Sequence, residues 1–153
     1  MATTFKKLKE FPLGWRFTDE RYNLIEEIHL LDFSIFDEKK SKKIWKTLTN
    51  SNKYHIAQLD TSFLKDLKKI GNYCLDKDYS EGIEILNKIN VLDKDDRITV
   101  FWGGKNSIEV SWKTFVLYWD DFCYPSDDNL IVCKEKNVFI VFQDEFISLY
   151  KLD

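Results

Sequence analysis

The sequence predicts an α+β fold, and three observations carry that prediction. Apolar residues recur at helical spacing through residues 18–90, they alternate at strand spacing through 96–152, and a Gly-Gly turn separates the first two alternating runs. With 153 residues, 44% of them apolar, the chain has the size of one domain with its own core. The expected architecture is a single domain over 1–153. A helical N-terminal half packs with an antiparallel sheet that carries one inserted amphipathic helix.

The first predicted helix is "TDERYNLIEEIHLL", with Thr18 as N-cap, Asp19 and Glu20 in the first turn, and Leu24, Ile25, Ile28 and Leu31 as an apolar stripe. "DEKKSKKIWKTL" follows, capped by Asp37, with Ile44, Trp45 and Leu48 facing inward. "TSFLKDLKKIG" reads as a third helix through Phe63, Leu67 and Ile70, stopping near Gly71, a residue type favoured just past a helix end. Ser80 is the expected cap of a shorter fourth helix bearing Ile85, Leu86 and Ile89, which Gly82 weakens.

The period then changes. "RITVFW" and "SIEVSW" alternate on either side of "GGKN", a hairpin signal. This turn lacks the spacing of a phosphate-binding loop. "LIVC", "VFIVF" and "FISLY" are three further strands joined by short polar turns, which favours antiparallel pairing. "VFIVF", apolar throughout, fits a central strand covered on both faces. Between hairpin and strands, Ser111 caps a helix on which Trp112, Phe115, Val116, Trp119 and Phe122 form one apolar face. Asp120 and Asp121 fall in its last turn, where the helix dipole disfavours negative charge.

The arrangement Trp112-x-x-Phe115-x-x-x-Trp119-x-x-Phe122, after a short hairpin and before "DDNLIVC", resembles a family of short bacterial proteins known only as a domain of unknown function. "GWRF", Gly14 to Phe17, is similar to a Trp-x-Phe element near the start of its members. The resemblance covers about the last sixty residues plus that element, and leaves 33–95 without a counterpart. It implies a bacterial source and a compact α+β domain, with no activity attached.

Charge and composition restrict the function classes. The net charge of −3 is too small for a general affinity for nucleic acid, and it is unevenly spread. Residues 1–76 carry 14 Lys+Arg against 11 Asp+Glu, and residues 77–153 carry 9 against 15. The start lacks the apolar run of a signal peptide, and no stretch of 18 apolar residues could span a bilayer. Cys74, Cys123 and Cys133, odd in number and without C-x-x-C spacing, read as reduced thiols. The expectation is a cytoplasmic protein with no cofactor and no membrane association.

The acidic, aromatic stretch "KTFVLYWDDFCYPSDDN" is the richest candidate site. Its acids Asp120, Asp121, Asp127 and Asp128, with Glu109 and Asp144 as possible spatial neighbours, admit three readings. They end a helix and form a turn; they make a surface for a cationic partner; or they hold a hard metal or a carboxylate pair. The spacing suits a turn and lacks the glycine and alternate ligands of a calcium loop. Lys39, Lys40, Lys42, Lys43 and Lys46 read as the solvated face of a helix, without the arginines of base readout. His29 and His55 stand apart from every cysteine, unlike structural zinc motifs.

The function expected from these observations is a non-enzymatic protein-binding module, of the immunity or antitoxin type. It would bind a basic partner, such as a toxin, through Asp120, Asp121, Tyr124, Asp127 and Asp128. The alternative is a metal-dependent hydrolase using the same aspartates.

Overall fold

The computed structural model describes residues 2–21, 24–59 and 61–152. Helices α1 (Ala2–Glu10), α2 (Trp15–Thr18) and α3 (Glu27–Leu30) precede strand β1 (Ser34–Phe36) and helix α4 (Glu38–Thr49). Strand β2 (Lys68–Cys74) and helix α5 (Tyr79–Asn87) follow, then the hairpin β3 (Arg97–Phe101) and β4 (Ser107–Ser111). Helices α6 (Trp112–Leu117) and α7 (Trp119–Phe122) lead into β5 (Asn129–Cys133), β6 (Val138–Gln143) and β7 (Phe146–Lys151).

All seven strands join one antiparallel sheet in the order β1-β4-β3-β5-β6-β7-β2. The predicted hairpin forms, pairing Ile98 with Val110 and Val100 with Ile108. Its turn needs Gly103, whose φ is +80° and where a Cβ would sit 2.5 Å from the Tyr54 carbonyl oxygen. On one sheet face Ile98, Val100, Ile108, Ile131, Ile140 and Phe142 meet the side chains of Leu8, Phe17, Leu86, Phe115 and Phe122 in the main core. On the other, Phe101, Leu130 and Val132 meet Trp45 of α4 and Leu59. Helices therefore lie on both sides of the sheet. Every residue of β5 is buried, whereas "VFIVF" in β6 alternates buried with half-buried positions. The fully covered central strand is β5.

The fold is α+β as expected, but its first half is less helical. Segment 18–31 does not form one helix; its Tyr22 and Asn23 lie outside the described residues. Thr18 ends α2, and its hydroxyl donates to the Gly14 carbonyl instead of capping a new helix. The chain is extended at Asp19 and folds back so that the Ile25 N–H bonds the Phe17 carbonyl at 2.8 Å. Ile25 and Leu30 are buried, while Leu24, Ile28 and Leu31 face outward at 50%, 69% and 68% exposure.

The predicted helix over 61–71 is also overturned. A 3-10 turn, Thr61–Leu64, gives way to β2, which pairs along β7 with an irregularity between Lys69 and Gly71. The open edge of β7 supplies backbone partners that outweigh a weak local preference for helix. Lys68 and Lys69 then lie on an edge strand, where lysine discourages pairing with other chains.

Among the described residues, three helix starts carry side-chain caps. Asp37 caps α4 by accepting from the Lys40 N–H, and Ser111 caps α6 by accepting from the Thr114 N–H, both as predicted. Asp78, not Ser80, caps α5 through the Glu81 N–H at 2.9 Å. The predicted helix over 111–122 breaks at Tyr118, with φ −115° and ψ 26°, although its five apolar side chains stay buried. The break turns Tyr118 inward, where its hydroxyl accepts from the Glu26 N–H and lies 2.7 Å from His29 Nδ1. Asp120 and Asp121 consequently lie in the first turn of α7 and not at the end of a long helix.

Asp32 ties the hairpin to α6. Its carboxylate pairs with Arg97 at the start of β3 and accepts from the backbone N–H and hydroxyl of Ser111. Burial pushes its pKa up, but hydrogen bonds from Ser111 and Thr114 and the charge of Arg97 outweigh that and hold it below its ordinary 3.8. A depressed carboxylate contributes stability above its unfolded pKa, and that contribution is lost as pH falls through the folded value. Asp32→Asn should therefore lower stability at neutral pH and flatten the acid limb of a stability–pH profile below about pH 4, measured by urea denaturation.

Gly82 gives a second expectation. A Cβ there would come 2.2 Å from Cζ2 of Trp119. Gly→Ala inside an exposed helix ordinarily stabilises, by up to about 1 kcal/mol. Here Gly82→Ala should instead destabilise by about 1–3 kcal/mol through overpacking, read from the shift in denaturation midpoint.

Candidate functional site

The stretch 118–129 leaves the core at α7, turns at Pro125 and re-enters as β5. Its anchor comes from the other end of the chain. Arg16, only 5% exposed on α2, makes a two-pronged pair with Asp127, Nη1 to Oδ2 at 2.6 Å and Nη2 to Oδ1 at 3.1 Å. Nη1 also donates to the Asp121 carbonyl at 3.4 Å. The guanidinium carbon lies 3.8 Å from the Tyr124 ring centroid, and Trp15 meets that ring edge-on. The Tyr124 N–H donates to Asp127 Oδ2, closing a turn that Pro125 and Ser126 span. Asp127 is thus an internal counter-charge.

The other candidates go elsewhere. Asp121 is buried, and Asp128 is half-buried beside Asn129, whose amide donates to the Phe101 carbonyl. Asp120 is half-buried, and its Oδ1 makes no hydrogen bond. Burial raises its pKa, and the N–H groups of Asp120 and Asp121 counter this only in part.

Asp120 opens onto a cleft of about 140 Å³ shared with Asp76 and Glu145, beside Trp119 and Phe142. Glu145 lies in the β6–β7 turn at φ +64°, a conformation few non-glycine residues adopt. A hydrogen bond with the Asp76 side chain is the main cause that raises the Glu145 pKa. Three carboxyls from distant segments thus ring an apolar floor, with Lys77 also lining the cleft.

Of the five predicted residues, Tyr124 and Asp127 belong to an arginine clamp that also takes in the Asp121 carbonyl, and Asp120 lines an acidic cleft, which Asp128 does not. Asp76 and Glu145 escaped the sequence reading because only the β2–β7 pairing brings them to Asp120. Arg16 was visible in "GWRF" without any sign of its partner. Glu109 is not a neighbour of this cluster; it pairs with Arg97 at 3.5 Å.

Trp45 is fully buried, while Lys39, Lys40, Lys43 and Lys46 on the same helix are exposed, as expected for a solvated face. Cys123 and Cys133 are buried free thiols, and burial pushes both above the usual thiol range. Among the described residues, no three His, Cys, Asp or Glu side chains converge closely enough to hold a metal ion. No helix among them is long and apolar enough to cross a membrane.

The clamp has a measurable energy. Asp127→Ala leaves Arg16 buried without its counter-charge and should cost about 3–5 kcal/mol in urea denaturation. Adding Arg16→Met should recover part of that loss, so the double variant is less destabilised than the sum of the two single changes.

The profile of a family described as proteins of unknown function, DUF2947, matches residues 5–149. The chain belongs to this family. The match takes in nearly the whole chain, including residues 33–95, and so extends well beyond the C-terminal part and the N-terminal element on which the resemblance first rested. No curated protein and no solved structure matches the chain.

Proposed function

We propose that this member of the DUF2947 family is a non-enzymatic, cytosolic protein-binding module of bacterial origin, holding a basic partner at the acidic end of its sheet. One observation carries the reading: Asp76, Asp120 and Glu145 surround a small cleft floored by Trp119 and Phe142. Such a cleft fits a lysine or arginine side chain, whose stem lies on the aromatic floor while its head meets the carboxylates. Burial disfavours the charged form of Asp120, and a cationic head in the cleft would favour it.

In this reading Asp120 touches the partner. Tyr124 and Asp127, locked by Arg16, position the loop that presents it. Asp121 and Asp128 add negative potential nearby, which steers a positively charged partner and raises its rate of encounter. A basic toxin, such as a nuclease, is the partner class with matching charge, and neutralising one is the role of an immunity or antitoxin protein. The hydrolase alternative has less support, because it needs the aspartates gathered around one ion. Asp127 is instead paired with Arg16, and Asp120 stands with Asp76 and Glu145.

A pull-down of the tagged chain from its native cell, at low and moderate salt, tests the proposal. The expected result is one near-stoichiometric basic protein, lost on raising salt and lost with Asp120→Asn/Glu145→Gln. Binding that survives the double variant overturns the site, and a clean protein without partner at low salt overturns the function. With the partner in hand, affinity should fall as pH drops through the raised carboxyl pKa values, because protonation of Asp120 and Glu145 removes the charge the cation recognises.

A further inference from the structure

A groove lies on the opposite face of the sheet from the acidic cleft. Helix α4 docks there along a narrow line. Ser41 Oγ donates to the Gly104 carbonyl at 2.7 Å and accepts from Ser107 Oγ at 2.8 Å. Trp45 packs edge-on against Phe101 with ring centroids 5.3 Å apart. These contacts fix the helix over the hairpin end of β3 and β4. One step around the helix, Ile44 and Leu48 pack beside the buried Val132 and, with Thr47 and Thr99, line a groove between α4 and the sheet. The result is a groove of about 790 Å³, within the range of small-molecule sites, about 300–1,000 Å³.

The rim of this groove is basic, in a protein of net charge −3. Lys39, Lys40 and Lys43 border it from α4, and Lys134 borders it from the end of β5. Of the three acids that also line it, Asp37 is engaged in capping α4 and Glu109 in its pair with Arg97. Glu135 is the third. Arg97, the fifth basic residue of the lining, is itself paired with Asp32 and Glu109, so the positive excess rests on the four lysines.

We infer that this groove binds a small amphipathic anion, an apolar body lying against Ile44 and Leu48 with a carboxylate or phosphate head at the lysine rim. The apolar wall accounts for the body and the excess of lysines for the sign of the head. Lysine, an adaptable point charge with rotatable donors, receives either head without demanding the forked geometry that arginine imposes.

The test is a titration of the full-length, isotope-labelled chain followed by backbone amide shifts. Octanoate and octyl phosphate carry the two anionic heads; octanol and octyltrimethylammonium carry the same tail with no charge or the opposite one. Either anion should saturate a single site with shifts at Thr47, Leu48, Thr99 and Val132, and the ratio of the two affinities identifies the preferred head. Lys43→Glu/Lys134→Glu, confined to exposed side chains, should weaken anion binding about tenfold while the remaining spectrum is unchanged. Equal binding of octanol, unchanged anion affinity in the double variant, or shifts that neither saturate nor map to the groove would each overturn the inference.

Discussion

The ring of Phe122 is the point on which the architecture depends. It is fully buried and contacts Phe17 at 4.9 Å, Phe115 at 5.4 Å, Trp102 at 5.8 Å and Phe33 at 5.8 Å between ring centroids. Aromatic pairs of this kind add about 0.5–1.5 kcal/mol each beyond the area they bury. The contacts join α2, the segment before β1, the β3–β4 turn and α6 to one side chain. Trp102 reinforces the junction through an indole N–H bond to the Phe122 carbonyl at 2.8 Å. With α7 held in this way, Asp120 reaches the acidic cleft and the Asp121 carbonyl reaches Arg16. The geometry of both regions is set by an apolar contact neither of them contains.

Legibility in the sequence followed the range of the interactions. The strands from Arg97 to Lys151 were readable because strict alternation and short turns are local signals. The Asp37 and Ser111 caps were readable for the same reason, each acting within three residues. Elements decided by distant partners were not. Segment 18–31 folds back on the Phe17 carbonyl, 68–71 is drawn into the sheet by β7, and Tyr118 leaves the helix to meet Glu26 and His29. The candidate site divides similarly. Its acidic and aromatic character was plain in residues 113–129, but Arg16 lies 111 residues from Asp127, and no local pattern forecasts that pair.

The unequal charge of the two halves acquires a spatial meaning. Lysines of α4 gather over one sheet face, along the groove lined by Ile44 and Leu48. Carboxylates from the segment after β2, from α7 and from the β6–β7 turn gather beside Trp119 and Phe142. In the cleft, Glu145 keeps a left-handed backbone that glycine or asparagine adopts more readily. A carboxylate in that position gives up some turn stability in exchange for charge.

The strand order also bears on how the chain is made. Five adjacent strands, β4-β3-β5-β6-β7, come from residues 97–151, while β1 and β2 from the first half occupy the two outer edges. During synthesis the first half leaves the ribosome with two strands whose partners have yet to be translated. Its Phe17, Phe33 and Trp45 must wait, exposed, for the sheet and α7 to arrive. A sheet whose two edge strands precede all of their partners in the chain cannot close until the C-terminal half is made, and the apolar side chains of the first half stay open to aggregation and chaperone capture until then.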